Sequence, residues 1–145
     1  MASIAIGSDH GGFKLKAALI DHLKEGGYEV KDMGTYSEES CDYPEYGRAV
    51  GNAVVNGEVD YGIVICSTGI GISITANRIK GVRAALCTNE YMAKMTRLHN
   101  NANVLAMGAN VIGESLAIDI TDTFLNTEFS NEERHKRRIG KIDEL

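Results

Sequence analysis

A chain of 145 residues fits one domain and can bury roughly 70% of its unfolded surface without disulfide staples. Fifteen Lys and Arg against twenty Asp and Glu leave a formal charge of −5, which excludes a nucleic-acid or membrane-surface binder and requires any anion site to be locally basic. Three cysteines, at 41, 66 and 87, form no CxxC pair, and the start MASIAIGSDH has no basic segment before an apolar run, so a reduced, cytoplasmic protein is expected.

Ser3 to Ile6 reads as a strand that breaks at Gly7, followed by the polar turn Ser8-Asp9-His10-Gly11-Gly12. Leu15, Ala18, Leu19 and Leu23 then recur at helical spacing, and Gly26-Gly27 stops that helix. His22 falls on its polar side and is expected to be solvated. Tyr28 to Met33 is a second strand, and a loop with Cys41, Asp42, Tyr43 and the only proline, Pro44, leads to a helix marked by Tyr46, Val50, Ala53 and Val54 and ended near Asn56-Gly57. In YGIVICSTGIGISI, from Tyr61 to Ile74, the contiguous β-branched Ile63, Val64 and Ile65 predict a strand buried on both faces, with Cys66 at its carboxyl end and a helix beginning after the turn. Val82 to Cys87 is a fourth strand, Glu90 to Leu98 a helix and Asn103 to Met107 a fifth strand. Leu116, Ile120 and Phe124 form one face of a last long helix. No stretch approaches the length of a membrane span.

Five strands alternating with helices predict an α/β domain, an open parallel sheet covered on both faces through right-handed crossovers. Ligands of such sheets bind beyond the carboxyl ends of the strands. Asp9 and His10 after strand one and Cys66 to Gly71 after strand three therefore belong on one rim. Leu98-His99-Asn100-Asn101 precedes strand five and belongs on the opposite rim, unless its helix stops short or a second subunit supplies it.

The turn Ser67-Thr68-Gly69-Ile70-Gly71 has little bulk, so its backbone N–H groups can converge on an anion while the next helix presents its positive end. A cysteine beside a helix amino end can act as nucleophile or base. A phosphocysteine mechanism of the C-x5-R kind needs an arginine at position 72, which is Ile72, so Cys66 reads better as a base. Cys41 and Cys87 read as structural. Gly69-x-Gly71 lacks the third glycine of a dinucleotide fingerprint, no Walker lysine is present, and His10, His22, His99 and His135 show no metal-ligand spacing. His10 and His99 flank polar turns, where acid–base or hydrogen-bonding roles fit. The basic tail, residues 127–145, is open to two readings. It is a solvated charge run, or a helix on which Arg134 and Arg138, four apart, share a face that an anion would bridge.

Taken together, Gly7-Ser8-Asp9-His10-Gly11-Gly12, Asp42-Tyr43-Pro44, Cys66-Ser67-Thr68-Gly69-Ile70-Gly71-Ile72-Ser73, His99-Asn100 and Arg134-His135-x-x-Arg138 resemble the ribose-5-phosphate isomerases of type B, a family that also includes allose-6-phosphate and galactose-6-phosphate isomerases. The resemblance spans nearly the whole chain in order. It implies a Rossmann-like three-layer αβα sandwich and an aldose-ketose isomerase without metal or cofactor. It also implies a homodimer, or a tetramer, with active sites at the subunit interface. Cys66 is then the base that moves a proton between C1 and C2 of the open-chain sugar phosphate, Thr68 assists at the sugar oxygens, and the N–H groups of Ser67, Thr68, Gly69, Ile70 and Gly71 stabilise the enediolate. His99 opens the furanose ring and, with Asn100, comes from the partner subunit. Asp9, His10 and Tyr43 contact the sugar, while Arg134, Arg138 and His10 hold the phosphate. The expected reaction is ribose 5-phosphate to ribulose 5-phosphate in the non-oxidative pentose phosphate route. The alternatives are allose 6-phosphate or another aldose, and a phosphosugar-binding module without turnover.

This chain departs from many members of that family at two positions. Ser67 replaces a glycine after the cysteine, and Asn110 replaces an arginine after strand five, which removes one ionic contact to phosphate.

Overall fold

The computed structural model describes residues 1–145. Its five strands are β1 (Ser3–Ser8), β2 (Glu29–Asp32), β3 (Tyr61–Cys66), β4 (Ala84–Leu86) and β5 (Val104–Gly108). They form one parallel sheet in the order β2-β1-β3-β5-β4. The helices are α1 (Phe13–Glu25), α2 (Tyr43–Val55), α3 (Ile70–Asn77), α4 (Glu90–Met95), α5 (Glu114–Asn126) and α6 (Glu133–Asp143). No helix is long and apolar enough to cross a membrane.

Side chains of a strand alternate between faces, and here both faces are covered. Ile4, Ile6, Ile63, Ile65, Leu105 and Met107 pack on one side with Leu15, Leu19 and Leu23 of α1 and Ala117, Ile120 and Phe124 of α5. Ala5, Val64, Val104 and Ala106 face the other way, against Val50 and Ala53 of α2 and Ile72 and Ala76 of α3. The result is the expected three-layer αβα sandwich. Every one of Ile63, Val64 and Ile65 is fully buried, as a central strand requires.

The elements differ from the sequence expectation in ways that have physical causes. β1 does not break at Gly7 but runs to Ser8. A Cβ on Gly7 would lie 2.8 Å from Val50 Cγ2 and 3.3 Å from Tyr46 O, so the glycine lets α2 approach the sheet rather than ending the strand. The edge strands β2 and β4 are shorter than Tyr28–Met33 and Val82–Cys87, because each pairs on one side only. α2 begins at Tyr43 with Pro44 in its first turn, where a missing N–H costs nothing. The helix expected over Glu90–Leu98 stops at Met95 and widens into a π turn over Thr96–Asn100, closed by Asn101 at φ +46°. The basic tail is helical, with His135 and Ile139 of α6 buried against the body. His22 is half-buried and, beyond its contact with solvent, pairs through Nε2 with Asp122 Oδ1 of α5 at 2.8 Å.

Register separates the two rims. Cys66 pairs with Gly108 and Gly62 with Val104, so the π turn before β5 lies about 13 Å from the carboxyl rim at ~3.3 Å per residue.

Candidate active site

At the carboxyl rim β3 ends in Cys66, only 4% exposed, and the chain turns into α3 through Gly69 at φ +79°. No other residue fits there. A Cβ on Gly69 would sit 2.6 Å from Leu86 Cδ1 and 2.7 Å from the Met107 carbonyl carbon, and the left-handed backbone is itself unfavourable for any side chain. The Gly69 N–H donates to Cys66 Sγ at 3.1 Å, and the Ile70 N–H donates to Thr68 Oγ1 at 3.1 Å. The turn is tied to β5 by the Ala109 N–H on Cys66 O and the Asn110 N–H on Ser67 O, both 2.9 Å. Of the five expected N–H donors, those of Gly69 and Ile70 are therefore engaged within the turn. The N–H groups of Ser67, Thr68 and Gly71 have no acceptor in the protein.

Ser67 points its hydroxyl at the neighbouring turn, since a Cβ on Gly11 would collide with Ser67 Oγ. Its side chain thus packs between the two rim turns. Tyr43, at the start of α2, lays its ring against α3, where a Cβ on Gly71 would lie 2.5 Å from Tyr43 Cζ. Asp9 is buried and its Oδ1 accepts the Gly12 N–H at 3.2 Å, which shapes the short 3-10 turn His10–Gly12. His10 Nδ1 accepts the Cys41 N–H at 3.2 Å. In the neutral ring this leaves the proton on Nε2, a donor for an oxygen ligand. The Cys41 sulfur also lies 3.9 Å from His10 Nδ1, so this cysteine packs against a candidate site residue. Only the adjacency of Cys41 to Asp42 and Tyr43 in the sequence hinted at this. Cys87 is buried in the core, where burial pushes its thiol up to about 12.

The remaining candidates sit together at the opposite rim. His99 and Asn100 are exposed on the π turn, and the His99 ring stacks on His135 with centroids 4.3 Å apart and 18° between planes. Burial, then the neighbouring His99 and Arg134, hold His135 below the usual histidine range, and Glu132 opposes them. The Glu132 carboxylate reaches His135 Nε2 at 3.1 Å and Arg134 at 3.2 Å. Arg134 and Arg138 are exposed, one turn apart on α6.

Residues 4–142 match the model of the Ribose/Galactose Isomerase family. The chain belongs to this family. It is 49% identical over 142 residues to ribose-5-phosphate isomerase B of Escherichia coli, covering 98% of this chain and 95% of that protein. It superposes with a TM-score of 0.96 and 58% identity on ribose-5-phosphate isomerase B of Clostridium thermocellum, covering 98% of this chain and 95% of that one. The Mycoplasma genitalium ribose-5-phosphate isomerase B, solved with bound ribulose-5-phosphate, superposes at 0.92 with 42% identity, covering 98% and 94%. As a member of this family the chain carries its motifs at both rims. A single chain brings Asp9, His10, Tyr43 and the turn from Cys66 to Gly71 into one group and His99, Asn100, Arg134 and Arg138 into another, with the sheet between them.

Proposed function

We propose that this chain interconverts D-ribose 5-phosphate and D-ribulose 5-phosphate, acting as a cytoplasmic homodimer whose sites join the carboxyl rim of one subunit to the opposite rim of its partner. The observation that carries the reading is the Cys66 thiol buried beside the unengaged N–H groups of Ser67, Thr68 and Gly71. The separation of the two residue groups within one chain supports the dimer. So do Ile70 and Ile74, 53% and 60% exposed and one turn apart on α3 beside the thiol turn.

The chemistry follows from that arrangement. A proton alpha to a carbonyl is weakly acidic, so its removal needs a base and preorganised donors for the developing oxyanion. Each such donor contributes roughly 3–4 kcal/mol to the transition state. The Cys66 sulfur takes the C2 proton of the open-chain aldose, and the free N–H groups of the turn bind the enediolate oxygen. Protonation at C1 and passage of the hydroxyl proton from O2 to O1, assisted by Thr68, move the carbonyl from C1 to C2. His99 and Asn100 of the second subunit open the furanose and hold it. Asp9, His10 and Tyr43 orient the sugar, and Arg134 and Arg138 take the phosphate, with His10 Nε2 a further donor.

Cys66→Ala tests the base directly. Incubated with ribose 5-phosphate in deuterium oxide, the variant should incorporate no deuterium at carbon and lose at least about 100-fold in turnover. Exchange at the wild-type rate would remove Cys66 from this role.

A further inference from the structure

Arg97 takes no part in the chemistry above, yet it is a charged residue only 4% exposed. Its guanidinium lies over the rings of Tyr61 and Phe124, 5.1 and 5.6 Å from their centroids. Its donors reach four neutral acceptors on three segments: Thr127 O at 3.0 Å, Asn101 Oδ1 at 2.9 Å with its neighbour Ala102 O at 2.6 Å, and Tyr61 Oη at 3.2 Å. No carboxylate partner compensates the charge. Taking a charge out of water is expensive, and apolar replacements of buried charged groups are often neutral or stabilising. What only a planar group with five donors can do is cross-link several strands of backbone at fixed angles.

The next two residues of the π turn continue the same contact. Leu98 O accepts the Ser130 hydroxyl at 2.7 Å and its N–H at 3.4 Å. His99 then stacks on His135. Residues 97, 98 and 99 thus meet 127, 130 and 135 in order, as three rungs between the π turn and the chain that runs from the end of α5 into α6.

We propose that Arg97 is a positioning residue that locks the turn bearing His99 and Asn100 to the helix bearing Arg134 and Arg138, so that ring-opening and phosphate-binding groups meet the substrate as one rigid body. This rests on the site reading given above. Displacing such a body by about 1 Å costs up to about 100-fold in rate even when no contacting group is changed.

The test compares Arg97→Lys, Ser130→Ala and Arg134→Ala in the intact enzyme, well below each melting temperature. The readouts are kcat, KM for ribose 5-phosphate and inhibition by inorganic phosphate. Lysine keeps the charge but cannot reach four divergent acceptors. Arg97→Lys should therefore lose about 10- to 100-fold in kcat/KM and bind phosphate more weakly. Ser130→Ala, which removes the shorter of the two hydrogen bonds in the exposed middle rung, should move both constants the same way by a smaller factor, and it decides the matter if Arg97→Lys fails to fold. A merely structural role would lower the melting temperature and leave these constants intact. Weakened phosphate inhibition in Arg134→Ala alone, with the other two at wild-type values, would overturn the inference and spare the site reading. Unchanged inhibition in Arg134→Ala would remove Arg134 from the phosphate site, and the inference with it.

Discussion

Asn110 stands at the edge of the thiol turn, exposed, with its N–H fixed on Ser67 O at 2.9 Å and its side chain without a hydrogen bond. A phosphate monoester carries about −1.5 to −2 charges near neutrality, and an amide meets it with a dipole where a guanidinium would meet it with a charge and two donors. Asn110→Arg should lower KM for ribose 5-phosphate by about three- to tenfold, the exposure of the position keeping the gain modest, and leave KM for free ribose unchanged. Parallel assays on the phosphorylated and free sugars check this. Equal KM values for ribose 5-phosphate in the variant and the wild type would mean that the missing arginine has no bearing on phosphate affinity. Ser67, the other departure, is accounted for by packing: its hydroxyl fills the space that Gly11 leaves between the two rim turns.

At the level of elements, α6 is joined to the body through His135, and that junction is sensitive to pH. The folded chain holds His135 below its ordinary pKa of 6.5 through burial, His99, Arg134 and Arg138, with Glu132 opposing. As pH falls through about 6.5 the unfolded chain binds a proton that the folded one resists, so stability declines until the folded group is charged as well. Above that window the residue is neutral in both states and contributes no slope. Urea midpoints should fall between pH 7.5 and 5.5, and fall less in His135→Phe, which keeps a ring for the stack but cannot charge; identical slopes would dismiss the residue as a source of acid sensitivity. Much of the architecture around this junction was legible from periodicity, because β-branched runs and helical leucine spacing report burial directly. Ile63 to Ile65 and Leu15, Leu19 and Leu23 behave as their pattern predicts. What stayed hidden was polar and non-local. Lys16, 1% exposed with its ammonium on Asp32 Oδ1 at 2.5 Å, and Arg97 look in sequence like any solvated cation, since their partners lie far along the chain. The same holds for Cys41 on His10. Its N–H finds the ring only because β1 and the loop after β2 end side by side.

The molecule as a whole carries two groups of candidate site residues on opposite rims of one sheet, and the proposed sharing of sites sets a test that no single-chain site can pass. If the Cys66 turn of one subunit is completed by His99 of the other, Cys66→Ala and His99→Asn each inactivate both sites of their own homodimers. Unfolded together and refolded as a mixture, they form heterodimers. In each heterodimer one site combines both defects and the other combines an intact Cys66 with an intact His99. Random pairing makes half of the dimers heterodimers with one working site of two, so the mixture should recover roughly a quarter of wild-type activity. A covalently linked pair carrying one substitution in each half should recover roughly half. If the sites were completed within a single chain, every site in the mixture would retain one defect and activity would stay at the level of the separate variants. That outcome would dismiss the sharing of sites between subunits, while Cys66 and its turn would keep their place at the carboxyl rim.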